Sequence, residues 1–209
     1  MNALDTAQIK QTAWEKLGGK WAPAGFVCLI YILATIIIDV PSHFFEENSA
    51  GQDAWEIVEF IFNFILDMGL VAYFYDVVLG RELFYKRLFV GFTSGIEFAL
   101  RLFFTQFFTF FFIVLWSFLL IVPGIMRAYS YGVALYVLLD NPKYSPFEAL
   151  KKSKEMMFGH RLELFVLELR FIPWLLLGFI TLGIGFIWII PYFMTAYSEF
   201  YLQLKEKQA

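Results

Sequence analysis

Ionisable side chains stand at depth within long apolar stretches: Asp67 near the middle of 55–80, which Glu56, Glu59 and Asp76 also interrupt, Glu168 and Arg170 near the middle of 162–181, and Arg127 in 118–140. A charge in hydrocarbon is expensive, so each marks either a buried ion pair or a proton or ion path. Glu168 and Arg170 are two residues apart, about 200° around a helix, and cannot share a face. The depths of these residues in their stretches suggest pairing Arg170 with Asp67, and Arg127 with Glu168 or Asp39. Such pairs either lock the register of neighbouring helices or carry a proton or ion. A second group, Lys151, Lys152 and Lys154, has the chemistry to engage anionic lipid or an acidic partner surface.

Enzyme signatures are missing from the sequence. There is no His-Glu-x-x-His, no Gly-x-Ser-x-Gly and no phosphate-binding glycine loop. His160 and Glu163, three apart on one helical face, have a weak metal-like spacing that headgroup water explains more simply. Cys28 has no second cysteine and no nearby histidine, and reads as a packing residue. The expectation is a non-catalytic protein with no catalytic, cofactor-binding or metal-ligating residues.

The elements that carry these residues follow from composition. The chain of 209 residues is 60% hydrophobic and 17% charged, and its mean hydropathy is +0.65. A soluble domain has roughly 45–50% apolar and 25% charged residues, and a core of this size could not hide the excess. Lipid must cover part of the surface. A net charge of −3 gives no basic footprint for nucleic acid.

The expected architecture is an all-α polytopic bundle of about six membrane spans, at 21–40, 55–80, 97–116, 118–140, 162–181 and 186–204. Residues 1–20 form a polar helix whose Ile9, Ala13 and Leu17 share one face, suited to the membrane surface. Residues 41–54, with Glu46, Glu47 and Asn48, read as an acidic loop. Residues 145–158 form an amphipathic surface helix: Ser145, Pro146 and Glu148 occupy the positions of a capping box, and Gly159 supplies a stop.

The apolar run 98–139 is long enough for two spans. Its turn lies either at Trp116–Ser117 or at Pro123–Gly124, and local chemistry favours the Pro-Gly pair. An offset of 68 aligns 121–130 with 189–198, matching Ile, Pro, Met, Ala, Tyr and Ser in register. That suggests a parallel hairpin repeat of spans three and four in spans five and six. It would set Pro123 and Pro191 as helix kinks inside their spans and move the turn toward Trp116–Ser117. Ala128 and Gly132 offer a small-residue face for close helix packing.

Fourteen of the sixteen Lys and Arg side chains lie in 1–20, 81–101, 141–161 and after Leu204. With six alternating spans these fall on one side, so both termini are expected to be cytoplasmic.

The stretch Leu115–Tyr131, with its Ile121-Val122-Pro123-Gly124-Ile125 core, resembles the bacterial multi-pass membrane family known as domain of unknown function 975. Further matches are Ser145 to Leu150, Ser153 to Met157, Gly159-His160, Glu163 to Phe165, Thr181 to Gly185, Pro191-Tyr192 and Phe200-Tyr201. The first two spans match only loosely, through Trp14, Leu17, Gly19 and Trp21. Arg127 and Arg161 stand at positions that are lysine-like in the family, which keeps the charge but offers a planar fork of donors. A looser similarity to the membrane portion of some glycerophosphodiester phosphodiesterases covers no catalytic residues. The resemblance implies a bacterial inner-membrane location and supplies no activity. Two functions stay open: a membrane factor engaging lipid or a membrane or cytoplasmic partner protein through its basic face, and a small-solute or ion transporter using the buried charges. The oligomeric state is not fixed by the sequence.

Overall fold

The structure, a computed structural model, describes residues 4–45 and 49–208. Glu46, Glu47 and Asn48 of the expected acidic loop lie outside the described residues. The helices are α1 (Thr6–Leu17), α2 (Trp21–Asp39), α3 (Ala50–Val78), α4 (Val90–Thr93), α5 (Ile96–Leu119), α6 (Ile121–Tyr131), α7 (Ala134–Asp140), α8 (Pro146–Met156), α9 (Arg161–Leu169), α10 (Ile172–Ile180) and α11 (Phe186–Glu206). Among the described residues there is no strand. Among the described residues four stretches are long and apolar enough to cross a membrane: Trp21–Phe44, Ala50–Val78, Ile96–Phe118 and Ile121–Asp140. The fifth expected stretch is interrupted at Arg170–Phe171, between α9 and α10. In the sixth, the second half of α11 carries the buried polar residues Thr195, Ser198 and Glu199.

Packing is concentrated toward one end of the bundle. There the rings of Tyr75 (α3), Tyr136 (α7) and Tyr201 (α11) meet with centroids 5.3–5.6 Å apart. Asp140, at the end of α7, accepts hydrogen bonds from Tyr75 Oη (2.6 Å) and Tyr201 Oη (2.9 Å) and pairs with Lys205 Nζ (2.6 Å). Asp76 likewise holds Arg81 at 2.9 Å and Arg87 at 2.7 Å. Elsewhere Phe26, Ile37, Phe60, Phe110 and Phe179 are exposed. Such side chains suit an acyl-chain environment rather than water. On α5, phenylalanines four apart stack on one another, Phe103 on Phe107 on Phe111 and Phe104 on Phe108 on Phe112, as one helical turn dictates.

The turn between α5 and α6 is a single extended residue, Leu120, with φ −161° and ψ 139°. It lies between the two positions that the sequence offered, and each supplies one side of it. Gly124 sits against Ser117, so closely that a Cβ there would collide with the serine. The expected kink at Pro123 is not formed. Pro123 is the third residue of α6, where its missing N–H would have had no partner within the helix. Pro191 does lie inside α11, and Thr195 Oγ1 donates to the Pro191 carbonyl at 2.7 Å.

A further correction concerns α1. Its apolar face, Ile9, Ala13 and Leu17, is fully buried, and the helix packs chiefly along α11. Protein rather than the membrane surface takes that face. Lys16 Nζ pairs with Glu199 Oε2 at 2.6 Å. Lys10 Nζ donates to the Arg170 carbonyl (3.0 Å) and sits 4.7 Å from the Phe171 ring centre. Burial, and secondarily the Arg170 cation, push the Lys10 ammonium pKa below its ordinary value.

Candidate functional site

None of the expected pairs between the charges in the apolar stretches is formed. Asp67 on α3 accepts a hydrogen bond from Tyr31 Oη on α2 at 2.6 Å. Glu168 on α9 accepts one from Tyr129 Oη on α6 at 2.7 Å. Asp39 is approached by its own neighbour His43 at 3.3 Å. The Arg127 guanidinium lies 4.5 Å from the centre of the Trp116 ring, a cation–π contact. Arg170 is exposed and ends α9. A phenol satisfies a carboxylate without bringing a second charge out of water, which makes tyrosine a cheaper partner than arginine in apolar surroundings. Sequence reasoning missed Tyr31 and Tyr129, because tyrosines in apolar stretches look alike until the facing helix is known.

His160 and Glu163 do meet, Nδ1 to Oε2 at 2.6 Å, but the histidine is buried. Headgroup water is therefore not its environment. Its place between α8 and α9 is a packed junction.

The basic helix α8 is built locally. Ser145 Oγ accepts from the Glu148 N–H at 3.3 Å, and Glu148 Oε2 accepts from the Ser145 N–H at 2.7 Å, closing the expected capping box. Gly159, at φ +85°, follows the end of the helix. Its buried face, Ala149, Leu150, Ser153 and Met156, packs on α5, α6 and α7. Phe147 meets Phe108 of α5 with ring centres 4.5 Å apart. Ser153 Oγ donates to the Ser130 carbonyl of α6 at 2.9 Å, and Gln208 Nε2 to the Met156 carbonyl at 2.9 Å. The helix is thus fixed at three points.

Lys151, Lys152 and Lys154 are left on the outside, all three exposed. Among the described residues none of them has a carboxylate partner. Lys154 also borders a cavity lined by Trp116, Pro123, Met126, Arg127, Ser130, Phe158 and Arg161. Arg127 thus shares a cavity with two other cations and meets no acid there.

The cap gives a direct test of α8. Ser145→Ala is expected to cost about 1 kcal/mol, read as a lower midpoint of unfolding in detergent and as faster amide exchange in 146–150. The Ser145 backbone and hydroxyl hold the Glu148 carboxyl below its ordinary value of 4.5. Its contribution is therefore present above pH 4.5 and fades as pH falls through the lowered folded value.

With the geometry in hand, comparison with known proteins finds one family. Its model, described as protein of unknown function (DUF975), matches residues 118–208, which run from the end of α5 to the end of the described chain. Residues 118–208 belong to the DUF975 family. The DUF975 segment thus contains α8, the Tyr129–Glu168 pair, Tyr201, Asp140 and all three cations of the cavity. Asp67 and Tyr31 lie outside it. Neither a curated protein nor a solved structure matches the chain.

Proposed function

We propose that this protein is a non-catalytic factor of the bacterial inner membrane whose α8 face engages anionic lipid. The observation that carries the reading is the set of exposed lysines, Lys151, Lys152 and Lys154, on a helix held rigid by its capping box and by three tertiary contacts. A fixed cluster with no internal acid to neutralise it keeps its field for an outside anion.

In this reading both termini are cytoplasmic. The packing of α1 along α11 supports a common side for the two ends, as does the distribution of basic residues. α2, α3, the α9–α10 pair and α11 cross the membrane. The α5–α6 hairpin brings its chain back to the side it left, which makes six spans if it crosses and leaves the parity unchanged if it only dips. The hairpin repeat is supported by matched back-bonds 68 residues apart, Ser130 Oγ to the Met126 carbonyl (2.6 Å) and Ser198 Oγ to the Met194 carbonyl (2.8 Å).

The test compares wild type with Lys151→Gln/Lys152→Gln/Lys154→Gln, each extracted from the membrane inside polymer-bounded lipid discs. A lysine near an anionic surface contributes about 1 kcal/mol, so the triple variant should lose up to on the order of a hundredfold in local preference for phosphatidylglycerol over phosphatidylcholine. High salt should erase the wild-type enrichment. Equal enrichment in the two proteins overturns the reading and turns attention to a protein partner.

A further inference from the structure

We infer that the cavity between the α5–α6 hairpin and the α8–α9 junction is a binding site for the phosphate of one phospholipid headgroup. The inference rests on the lipid-engaging reading above and deepens it, from a diffuse basic face to a single site with stoichiometry. The site is formed by Arg127 of α6, Lys154 of α8 and Arg161 of α9, which converge on one cavity from three separate helices.

No acidic side chain lines it, and among the described residues none of the three cations has an ion-pair partner. Three like charges facing one small space repel one another unless an anion sits among them. A second observation points the same way. Arg161 Nε is buried without a hydrogen-bond partner, and a buried guanidinium donor left unmet is costly. A phosphate held in the planar fork of that guanidinium would bring it an acceptor. Arg127 is already oriented by its stacking on Trp116, 4.5 Å from the ring centre, so it loses little freedom on binding.

Size and surroundings identify the ligand class. The cavity is about 260 Å³, below the roughly 300–1,000 Å³ of sites that enclose a drug-sized molecule. It fits a headgroup fragment and leaves the rest of the ligand outside. Met126 and Phe158 of its lining, and Val122 and Leu162 next in the chain to the lining residues Pro123 and Arg161, are all exposed and apolar, a surface for acyl chains rather than for water. Lys154 and Glu155 are also exposed and must reach water or headgroups, which sets the mouth of the cavity at the membrane surface. Cations at that level with apolar side chains beside them suit a phosphodiester tethered to lipid. The adjoining groove of Lys151, Lys154, Glu155 and Phe158 leads from the exposed lysines to the cavity and would pass an anionic headgroup inward.

The experiment uses the full chain purified in a neutral detergent, with phosphatidylglycerol added and the complexes counted by native mass spectrometry. A one-to-one adduct is expected that survives high salt. Arg127→Gln/Arg161→Gln should weaken it by about tenfold for each arginine removed. Lys151→Gln/Lys152→Gln, outside the cavity, should retain it. Arg127→Lys/Arg161→Lys keeps the charge and guards against misfolding, and should retain part of the affinity. Thermal unfolding with phosphatidylglycerol or with inorganic phosphate separates the two sources of the anion, the lipid alone being expected to raise the midpoint. An adduct undiminished in Arg127→Gln/Arg161→Gln, or equal stabilisation by inorganic phosphate, overturns the inference. If the lysine variant loses lipid enrichment while the arginine variant keeps its adduct, only the site is wrong. If wild type shows no enrichment at all, the parent reading is.

Discussion

Gly69→Ala is expected to leave little or no folded protein. Gly69 lies in α3 where the turn Tyr85–Phe89 crosses it, and an added Cβ would run into the carbonyl group of Leu88. The obstacle is backbone on both sides, so no rotamer change relieves it, and the segment 85–89 must move as a body. Arg87 would then be pulled away from Asp76, which it meets at 2.7 Å, and Leu88 out of the core, where it is fully buried. Overpacking of this kind costs about 3 kcal/mol or more, a large part of a typical folding free energy. The readout is loss of the monodisperse peak in detergent. Gly25→Ala is the matching control, since its Cβ would meet Ile187 at ordinary contact distances, the side chain at 3.5 Å and the carbonyl oxygen at 3.9 Å; it should stay within about 1 kcal/mol of wild type. Normal folding of Gly69→Ala would mean that the turn does not pack on α3.

The second large effect is expected at Asp140. Its carboxylate gathers Tyr75 from α3, Tyr201 from α11 and Lys205 from the end of α11, all within 2.9 Å, and its side chain is only 12% exposed. Asp140→Asn removes the charge and puts an amide donor in place of one of the two oxygens, of which one accepts from Tyr75 and the other from Tyr201 and Lys205. Hydrogen bonds to a charged group contribute about 1.5–3 kcal/mol each, and Lys205, half exposed, adds little. A loss of about 3 kcal/mol is expected in denaturant titration. Tyr75→Phe removes one bond of the three and should cost about half as much. If the asparagine variant matches wild type, Asp140 does not tie α3, α7 and α11 together.

Much of the molecule was legible because it is decided within a few residues. The α8 cap depends on Ser145 and Glu148 alone, and both hydrogen bonds form where the spacing puts them. The apolar face of α1 was equally readable from Ile9, Ala13 and Leu17. What covers it was not, since protein and lipid both accept an apolar stripe, and only the packing of α11 distinguishes them. The α5–α6 turn shows the boundary between the two kinds of information. Ser117 and Gly124 each carried a turn signal, and they turn out to be the two surfaces that touch across it.

The candidate site divides along the same line. Sequence alone determined that much of this chain is apolar enough to suit a membrane, that its cations crowd into a few segments, and that α8 presents lysines on one flank, because composition and helical period are local properties. Only the tertiary structure decided the partners of the charges in the apolar stretches. Asp67 and Glu168 took tyrosines from α2 and α6, while Arg127 joined Lys154 and Arg161 instead of an acid. Residues 27 and 34 apart in the chain were brought to one cavity by the way three helices cross, and nothing in the spacing of a sequence records the angle at which its helices meet.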